Sequence, residues 1–410
     1  MRFIHTADWH LGKRLHDFSL IDVQREAVER LVDLVARSEV DAVVVAGDVF
    51  DTQVPSLGAL ELWEQAVESI VAEHGVPMVV IPGNHDHPER LSAHAGLSRR
   101  AGLHYVKSLA ASLTPITIAG VDFHGVPFHK PVHVNAAFRE HQPGVGDFDY
   151  AAAMDHTLGH VRRARSSRPA VLVAHAFVSG SGDEPEGEDA ISVGGAGGVP
   201  LPALGGFDYV ALGHIHRPVS LGGSGVQYSG SIYPYSFSEE GHDKSAALVE
   251  IRQGGAVAVE RLKLEATRGV RKVEGLTFAA VLAGAQQEAA ALRDYYTLVR
   301  VSDTAPLTDG LAALREWYPY AVLEQPLIAA PDWVPRLAGD YRTTSPEDAL
   351  RQFYRHVFGE DLSALEDEVL RAAVSAGAEG VDGGEVEAGT DVPTPADPVG
   401  TSAEPRPVDA

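Results

Sequence analysis

The chain contains no cysteine. Disulfides are excluded, and so is a zinc site built on thiolates. Any bound metal must be held by histidine, aspartate, glutamate or asparagine. Long hydrophobic runs are missing too: no stretch of about 18 apolar residues occurs, so no membrane span is expected. The opening sequence MRFIHTADWHLGK lacks the charged segment and clean apolar stretch of a secretory leader, because His5, Asp8 and His10 interrupt it. A cytoplasmic protein is the expectation. Positive charge is scarce, with 33 Lys and Arg against 57 Asp and Glu and a net charge of −24. That excludes a protein that coats DNA by bulk charge. It leaves nucleic acid open as a substrate, because a metal cluster inverts the field locally.

What is present is an ordinary hydrophobic content of 45% over 410 residues, with 19 histidines. Two domains and a small third piece fit this length. Short apolar runs alternate with helical patterns at the start. RFIHTAD, DAVVVAGD and VPMVVIPGN read as strands. Between them, residues 22–36 place Val23, Ala27, Val28, Leu31, Leu34 and Val35 at helical spacing, and residues 57–72 repeat the pattern. This β-α-β-α-β order predicts a sheet with helices on both faces. A run of strands follows (TPITIAGVDFHGVPF, PAVLVAHAF, FDYVALGH, GVQYSGSI, SAALVEI and AVAVERLKL), with one helix near 149–165. These predict a second sheet packed on the first, an α/β fold of the four-layer αββα kind.

The texture changes near residue 268. VRKVEG, YYTLVRV and AVLEQP, with helices near 277–292 and 309–317, predict a small α+β domain over 269–345. Residues 346–374 read as one or two helices. The stretch 180–199, rich in Gly, Ser and acids, reads as a long surface loop. Residues 375–410 carry almost no large apolar side chain, and eight acids against one arginine from Glu379 to Asp409. They bury too little to offset ordering entropy and are expected to be disordered.

The chemistry gathers at strand ends. The first strand delivers Asp8 and His10, the second Asp48 and Asp51, the third Asn84, His85 and Asp86. VLVAHAF delivers His175, and VALGHIH delivers His214 and His216. Ligands bind outside the carboxyl ends of strands in open α/β sheets. Period two would put Asp8 with His10, and His214 with His216, on one side of a strand. Each motif alone has a bland reading: a solvated turn for Asp8 and His10, a capped turn for GDVFD, a satisfied core histidine for His175. Five of them, each at a strand end, point to a metal site.

D-x-H, GDxxD, GNHD, the isolated histidine after a strand and GHxH together resemble the calcineurin-like metallophosphoesterase superfamily. TADWHLGK, GDVFDT, FDYVALGHIHRP and YSGSIYPYSFSE narrow this to the bacterial nuclease subunits of double-strand-break repair. The similarity is strongest over residues 1–90 and 170–240. It implies an αββα phosphoesterase core over 1–268, a DNA-capping domain over 269–345 and C-terminal helices that bind an SMC-like ATPase. It also implies two divalent metal ions, one held by Asp8, His10, Asp48 and His216, the other by Asp48, Asn84, His175 and His214. A shared carboxylate lowers the repulsion between cations about 3.5–4 Å apart. Donors without sulfur suit Mn²⁺ or Fe²⁺, and the resemblance favours Mn²⁺. The implied activity is 3′→5′ exonuclease on duplex DNA ends and endonuclease on hairpins or single strands, in repair, recombination and replication. A homodimer within a heterotetramer is implied as well.

His85 stands beside Asn84 and outside that ligand set, which makes it the candidate general acid or hydrogen-bond donor to the leaving oxygen. Asp86 is expected to orient its imidazole, or to cap a turn. Asp51 is expected to support a ligand histidine or to cap the next helix. His87, His124, His129 and His133 read as solvated loop residues, unless one touches phosphate. Arg217 either meets DNA phosphate or makes a surface ion pair. Leu350, Phe353, Tyr354, Val357, Phe358, Leu362, Leu365, Val369 and Leu370 form a helical apolar stripe for a coiled-coil partner or for the protein's own cap. Two other functions stay open at this point: hydrolysis of a small phosphodiester or monoester, and a noncatalytic scaffold on the same fold.

Overall fold

The computed structural model describes residues 1–138, 149–179, 198–223, 225–252, 254–326, 345–358 and 361–379. Its first sheet has six strands, in the order Val257–Lys263, Ser245–Ile251, Arg2–Thr6, Ala42–Ala46, Met78–Ile81 and Leu103–Tyr105. The last four run parallel, and their sequences AVVVA and MVVI are buried throughout. Burial on both faces is why these strands read as continuous apolar runs. Val43, Val45, Met78 and Val80 face the helices Ile21–Arg37 and Leu57–Val67, meeting Leu31, Leu62 and Trp63. The second helix starts on Ser56, whose Oγ accepts the Ala59 amide, and continues as a π-helical turn over Glu68–Glu73.

The other face of this sheet meets a second sheet rather than helices. The order there is Val219–Leu221, Val226–Tyr228, Tyr209–Gly213, Ala170–His175, Val121–Val126 and Ile116–Ile118. Phe3, Val44 and Val79 pack against Phe123, Val171 and Tyr209, with the Phe3 ring 5.4 Å from Phe123 and 5.6 Å from Tyr209, edge to face. The far face of the second sheet buries Leu172, Ala174 and Val210 under Met154, Leu158 and Val161 of the helix Tyr150–Ala164. The four-layer αββα arrangement therefore holds. The expectation of helices on both faces of the first sheet does not, because a fully apolar strand cannot say whether a helix or a sheet covers it.

His5 lies between the sheets with no exposed surface. Its ring nitrogens sit 3.0 Å from the Tyr209 hydroxyl and 3.1 Å from the Leu212 carbonyl. Burial, then the nearby Arg261 charge, lower its pKa to about 3. The folded protein thus refuses a proton that the unfolded chain accepts below the ordinary histidine value of 6.5. Stability rises with pH wherever the unfolded state binds more protons. Stability is accordingly expected to fall as pH drops from 6.5 toward 3, with a His5 contribution of up to about 1.4 kcal/mol per pH unit. Urea unfolding across that range, compared with His5→Phe, measures it: the variant should show a shallower acid loss.

Past the sandwich, Val270–Leu276, Tyr296–Val301 and Ala321–Glu324 form a three-stranded parallel sheet. The helices Phe278–Leu292 and Gly310–Arg315 link its strands. The chain divides into two compact units, Met1–Pro326 and Leu327–Ala410. In the second, Pro346–Phe358 and Ala364–Glu379 are helices joined by Arg351 to Asp367 at 2.6 Å and by Tyr354 to Glu366 at 2.9 Å. The last helix runs past the expected end at 374, in an alanine-rich stretch that favours helix. Of the loop expected over 180–199, residues 180–197 lie outside the described residues, and Val199 is instead buried in a short strand beside Val178. Residues 327–344 of the expected cap and 380–410 of the expected disordered tail also lie outside them. Among the described residues, no helix is long and apolar enough to cross a membrane.

Candidate metal centre

Register brings the motifs together. Thr6 lies opposite Val45, and Ala46 opposite Ile81, so three strands end at one level. In the second sheet Gly213 lies opposite His175. The two sheet ends are tied by the His175 Nδ1–H, which donates to the Ala46 carbonyl at 2.9 Å, and by the His214 amide, which donates to the Asp8 carboxylate at 2.9 Å. The pleat is not what aligns these side chains. The strands stop at Thr6 and Gly213, and Asp8, His10, Asp48 and His214 all have positive φ (53°, 42°, 50° and 106°). Turned loops bring these side chains to one place, and such backbone persists where surrounding bonds enforce it. Here the Asp8 amide donates to the Gly47 carbonyl and the His10 amide to the Asp48 carbonyl, both at 3.0 Å.

The glycines before Asn84 and His214 have a steric reason. A Cβ on Gly83 would lie 2.1 Å from Asp48 Oδ1, and one on Gly213 would lie 2.0 Å from the Ala46 carbonyl oxygen. Only glycine lets these loops close around the site.

The donor atoms face one another. His10 Nε2 lies 3.1 Å from His216 Nε2 and 3.6 Å from Asp48 Oδ2. Asp48 Oδ2 lies 3.3 Å from His175 Nε2, which lies 2.9 Å from Asn84 Oδ1. His214 Nδ1 is 3.3 Å from that same oxygen. Suitable ligand atoms of Asp8, His10 and His216 fall within 4.8 Å of one another, as do those of Asp8, Asp48 and His175. His175 directs its Nδ1 proton to Ala46, so in the neutral ring Nε2 presents a lone pair toward two oxygens. Such a meeting of acceptors suits a cation between them. Oxygen and nitrogen donors in this number fit divalent metal ions.

The electrostatics agree. Burial drives the Asp8 carboxyl up to about 7. Burial also works against charge on Asp48 and His175, but each overrules it for the other. Asp48 is held well below the usual carboxylate range, and His175 is lifted to about 9. Without a metal, a proton on His175 serves as the positive charge that Asp48 requires.

The remaining candidates separate into distinct roles. His85 is half-buried, its amide donates to Asp48 Oδ1 at 2.9 Å and its Nδ1 bonds the Asp51 carbonyl at 2.8 Å. Asp86 does not orient that imidazole. Its carboxylate accepts the amides of Val49, Phe50 and Gly83 at 3.1, 2.9 and 2.9 Å, stitching two ligand loops together. Asp51 lies 3.4 Å from His10 Nδ1 and 2.9 Å from Lys13 Nζ. Burial raises its pKa, but His10 and Lys13 outweigh that and hold it at about 2. It does not cap the next helix, because Ser56 does. His10, Asp51 and His85 also cluster closely enough for an ion, but the Lys13 ammonium already occupies that carboxylate. His124 and His129 are buried rather than solvated, bonded to the carbonyls of Ser112 and Pro127. His87 is half-buried, and His133 and Arg217 are exposed.

Four residues around the site escaped the sequence reading. Gln24 Nε2 donates to the His10 carbonyl at 2.6 Å, and Gln24 Oε1 accepts the Gly12 amide at 2.9 Å. Tyr235 stands edge-on to His10 and His216. Glu239 and Lys244 sit behind His216. Only the YPYSFSE text hinted at any of them.

Residues 1–218 match the calcineurin-like phosphoesterase family. The chain belongs to that family, a class of metal-dependent hydrolases. Its curated relatives narrow the class. It is 31% identical to the D subunit of the SbcCD nuclease of Staphylococcus saprophyticus, over 67% of this chain and 72% of the relative. It is 29% identical to the protein of the same name from Staphylococcus epidermidis, over 78% and 83%. Among solved structures, a dimetal phosphatase from Danio rerio overlays with a TM-score of 0.36 at 15% identity, covering 65% of this chain and 99% of the other. That overlay is too low to carry an argument.

Proposed function

We propose that the chain is the nuclease subunit of an SbcCD-type complex, hydrolysing DNA phosphodiester bonds with two divalent cations. The observation that carries this is the convergence of Asp8, His10, Asp48, Asn84, His175, His214 and His216 at the joined sheet ends, in a chain whose relatives are named as nuclease subunits. Asp8, His10, Asp48 and His216 would hold one ion, and Asp48, Asn84, His175 and His214 the other. Mn²⁺ is the proposed native metal. Bound there, the pair supplies Lewis-acid stabilisation of phosphoryl oxygens and lowers the pKa of an attacking water. His85, anchored through Nδ1 to the Asp51 carbonyl, presents Nε2 to the leaving sugar oxygen as acid or hydrogen-bond donor. Asp51 and Asp86 act from behind, on His10 and on the ligand loops.

The proposed activities are 3′→5′ exonuclease on duplex ends and endonuclease on hairpins and single strands, in the cytoplasm, with an SbcC-type SMC-like ATPase. The division into a nuclease domain (1–268), a DNA cap (269–345), ATPase-binding helices (346–374) and an acidic tail (375–410) belongs to the same proposal. Exposed Leu350, Leu365 and Val369 support partner binding by those helices. Exposed Val54, Leu57 and Leu60 support contact with a second copy.

End-labelled linear duplex DNA with added Mn²⁺, run beside bis-p-nitrophenyl phosphate, tests the proposal. Metal-dependent cleavage of both is expected, and addition of the ATPase partner should enhance DNA cleavage only. Cleavage of the small diester alone, with and without the ATPase, would replace this reading with a small-substrate phosphodiesterase.

A further inference from the structure

The segment Tyr233–Lys244 closes over one half of the metal centre. Phe237–Glu239 is a short 3-10 turn, with Ser236 Oγ accepting the Ser238 amide. It carries Glu239 into the interior, where only 5% of the residue stays exposed. Glu239 Oε1 lies 3.1 Å from His216 Nδ1 and accepts the Tyr235 amide at 3.2 Å. Its other oxygen pairs with the Lys244 ammonium, which is 3% exposed. Lys244 also donates to the His216 carbonyl at 2.9 Å and to Ser231 Oγ at 2.8 Å. A carboxylate and a lysine are costly to bury unless they are paired and fully bonded. Both grip His216, one by its ring and one by its backbone. Tyr235 fills the remaining side, its ring 5.9 Å from His216 and 5.5 Å from His10, with its hydroxyl bonded to the Trp9 carbonyl.

We infer that Glu239, locked by Lys244, is a positioning residue that fixes the His216 imidazole with its proton on Nδ1 and Nε2 aimed at one of the two metal positions. This rests on the two-metal reading above. The carboxylate settles the tautomer, because it accepts and cannot donate. With Nδ1 committed, Nε2 points at His10 Nε2 across 3.1 Å. His175 is oriented differently, with its Nδ1 held by the Ala46 carbonyl. The Glu239 effect therefore falls on the position shared by His10 and His216, and leaves the one shared by Asn84 and His175.

The test is a Mn²⁺ titration followed by electron paramagnetic resonance on the full chain. Glu239→Gln alone would strand the buried ammonium, so the variant is Glu239→Gln with Lys244→Met. The expected result is a single-ion spectrum at Mn²⁺ concentrations that give wild type an exchange-coupled pair. The second ion should return at about 10–100-fold higher Mn²⁺, the usual cost of losing an outer partner of a ligand histidine. Coupling at wild-type concentrations would overturn the inference. So would loss of both ions together with a lowered melting temperature, which would make Glu239 a support of the fold. If wild type never shows a coupled pair, the two-metal reading itself fails. Should the variant not fold, ¹⁵N-histidine spectra of the wild type loaded with Zn²⁺ decide, with His216 assigned by its loss in His216→Gln. An Nδ1-protonated ring is expected, and an Nε2-protonated one refutes the role.

Discussion

His85→Ala is expected to lower phosphodiester hydrolysis by about 10²–10⁴-fold, the usual contribution of a positioned proton donor, with metal content unchanged. The geometry sets this split. His85 is half-buried where Asp8, Asp48 and His175 are fully enclosed, and its Nδ1 is held by the Asp51 carbonyl at 2.8 Å. That bond leaves Nε2 as the atom available to substrate. The tie between the His85 segment and the metal centre runs through its backbone amide to Asp48 Oδ1, and alanine keeps that amide. Metal analysis beside activity on duplex DNA and on a small diester checks it. A small diester with a good leaving group needs less help from a proton donor, so its loss should be smaller. Loss of metal in the variant would make His85 a ligand through the cluster with His10 and Asp51.

How far this was legible differs residue by residue. Asp48 and His175 each follow an apolar run, and each alone allows a bland reading, a capped turn or a core histidine. Only the five motifs together point to a metal site, and the structure brings both side chains to one edge. The αββα order followed from strands continuing after 165 with few helices between. For Asp86 the sequence leaves two readings open, orienting the imidazole or capping a turn. Its three amide donors, Val49, Phe50 and Gly83, favour the second, and their directions depend on loops folded at positive φ. Glu239 was illegible for a related reason. It lies 23 residues from His216, and nothing local to FSEEGHDK says that its carboxylate turns inward. His124 and His129 read as loop histidines because neither belongs to a metal motif, and their burial depends on a covering layer that the local sequence does not show. The candidate ligands are carried by local motif. The groups that orient ligands are set by tertiary contact.

Asp48→Asn should reduce hydrolysis of every substrate by at least about 10³-fold, the scale reached when a preorganised electrostatic element is removed, and should lower metal content as well. The substitution spares the backbone: Asn tolerates the left-handed conformation nearly as Asp does, and φ at Asp48 is 50°. It also spares the Oδ1 acceptor of the His85 amide and the backbone bond from the His10 amide to the Asp48 carbonyl. What changes is the atom at Oδ2, which lies 3.3 Å from His175 Nε2 and 3.6 Å from His10 Nε2, between the two histidine groups. An amide nitrogen there donates where a shared anion is required, and it cannot ligate a cation on either side. The neighbouring imidazole lone pairs would turn to that amide, and Asp8 would remain as the sole carboxylate among the seven ligands. Metal content by mass spectrometry, with activity and circular dichroism on the same sample, distinguishes the cases. Native circular dichroism with little metal and no activity is the expected pattern. Retention of both ions and of activity within about tenfold would show that Asp48 does not bridge, since a tenfold change corresponds to only about 1.4 kcal/mol of transition-state stabilisation.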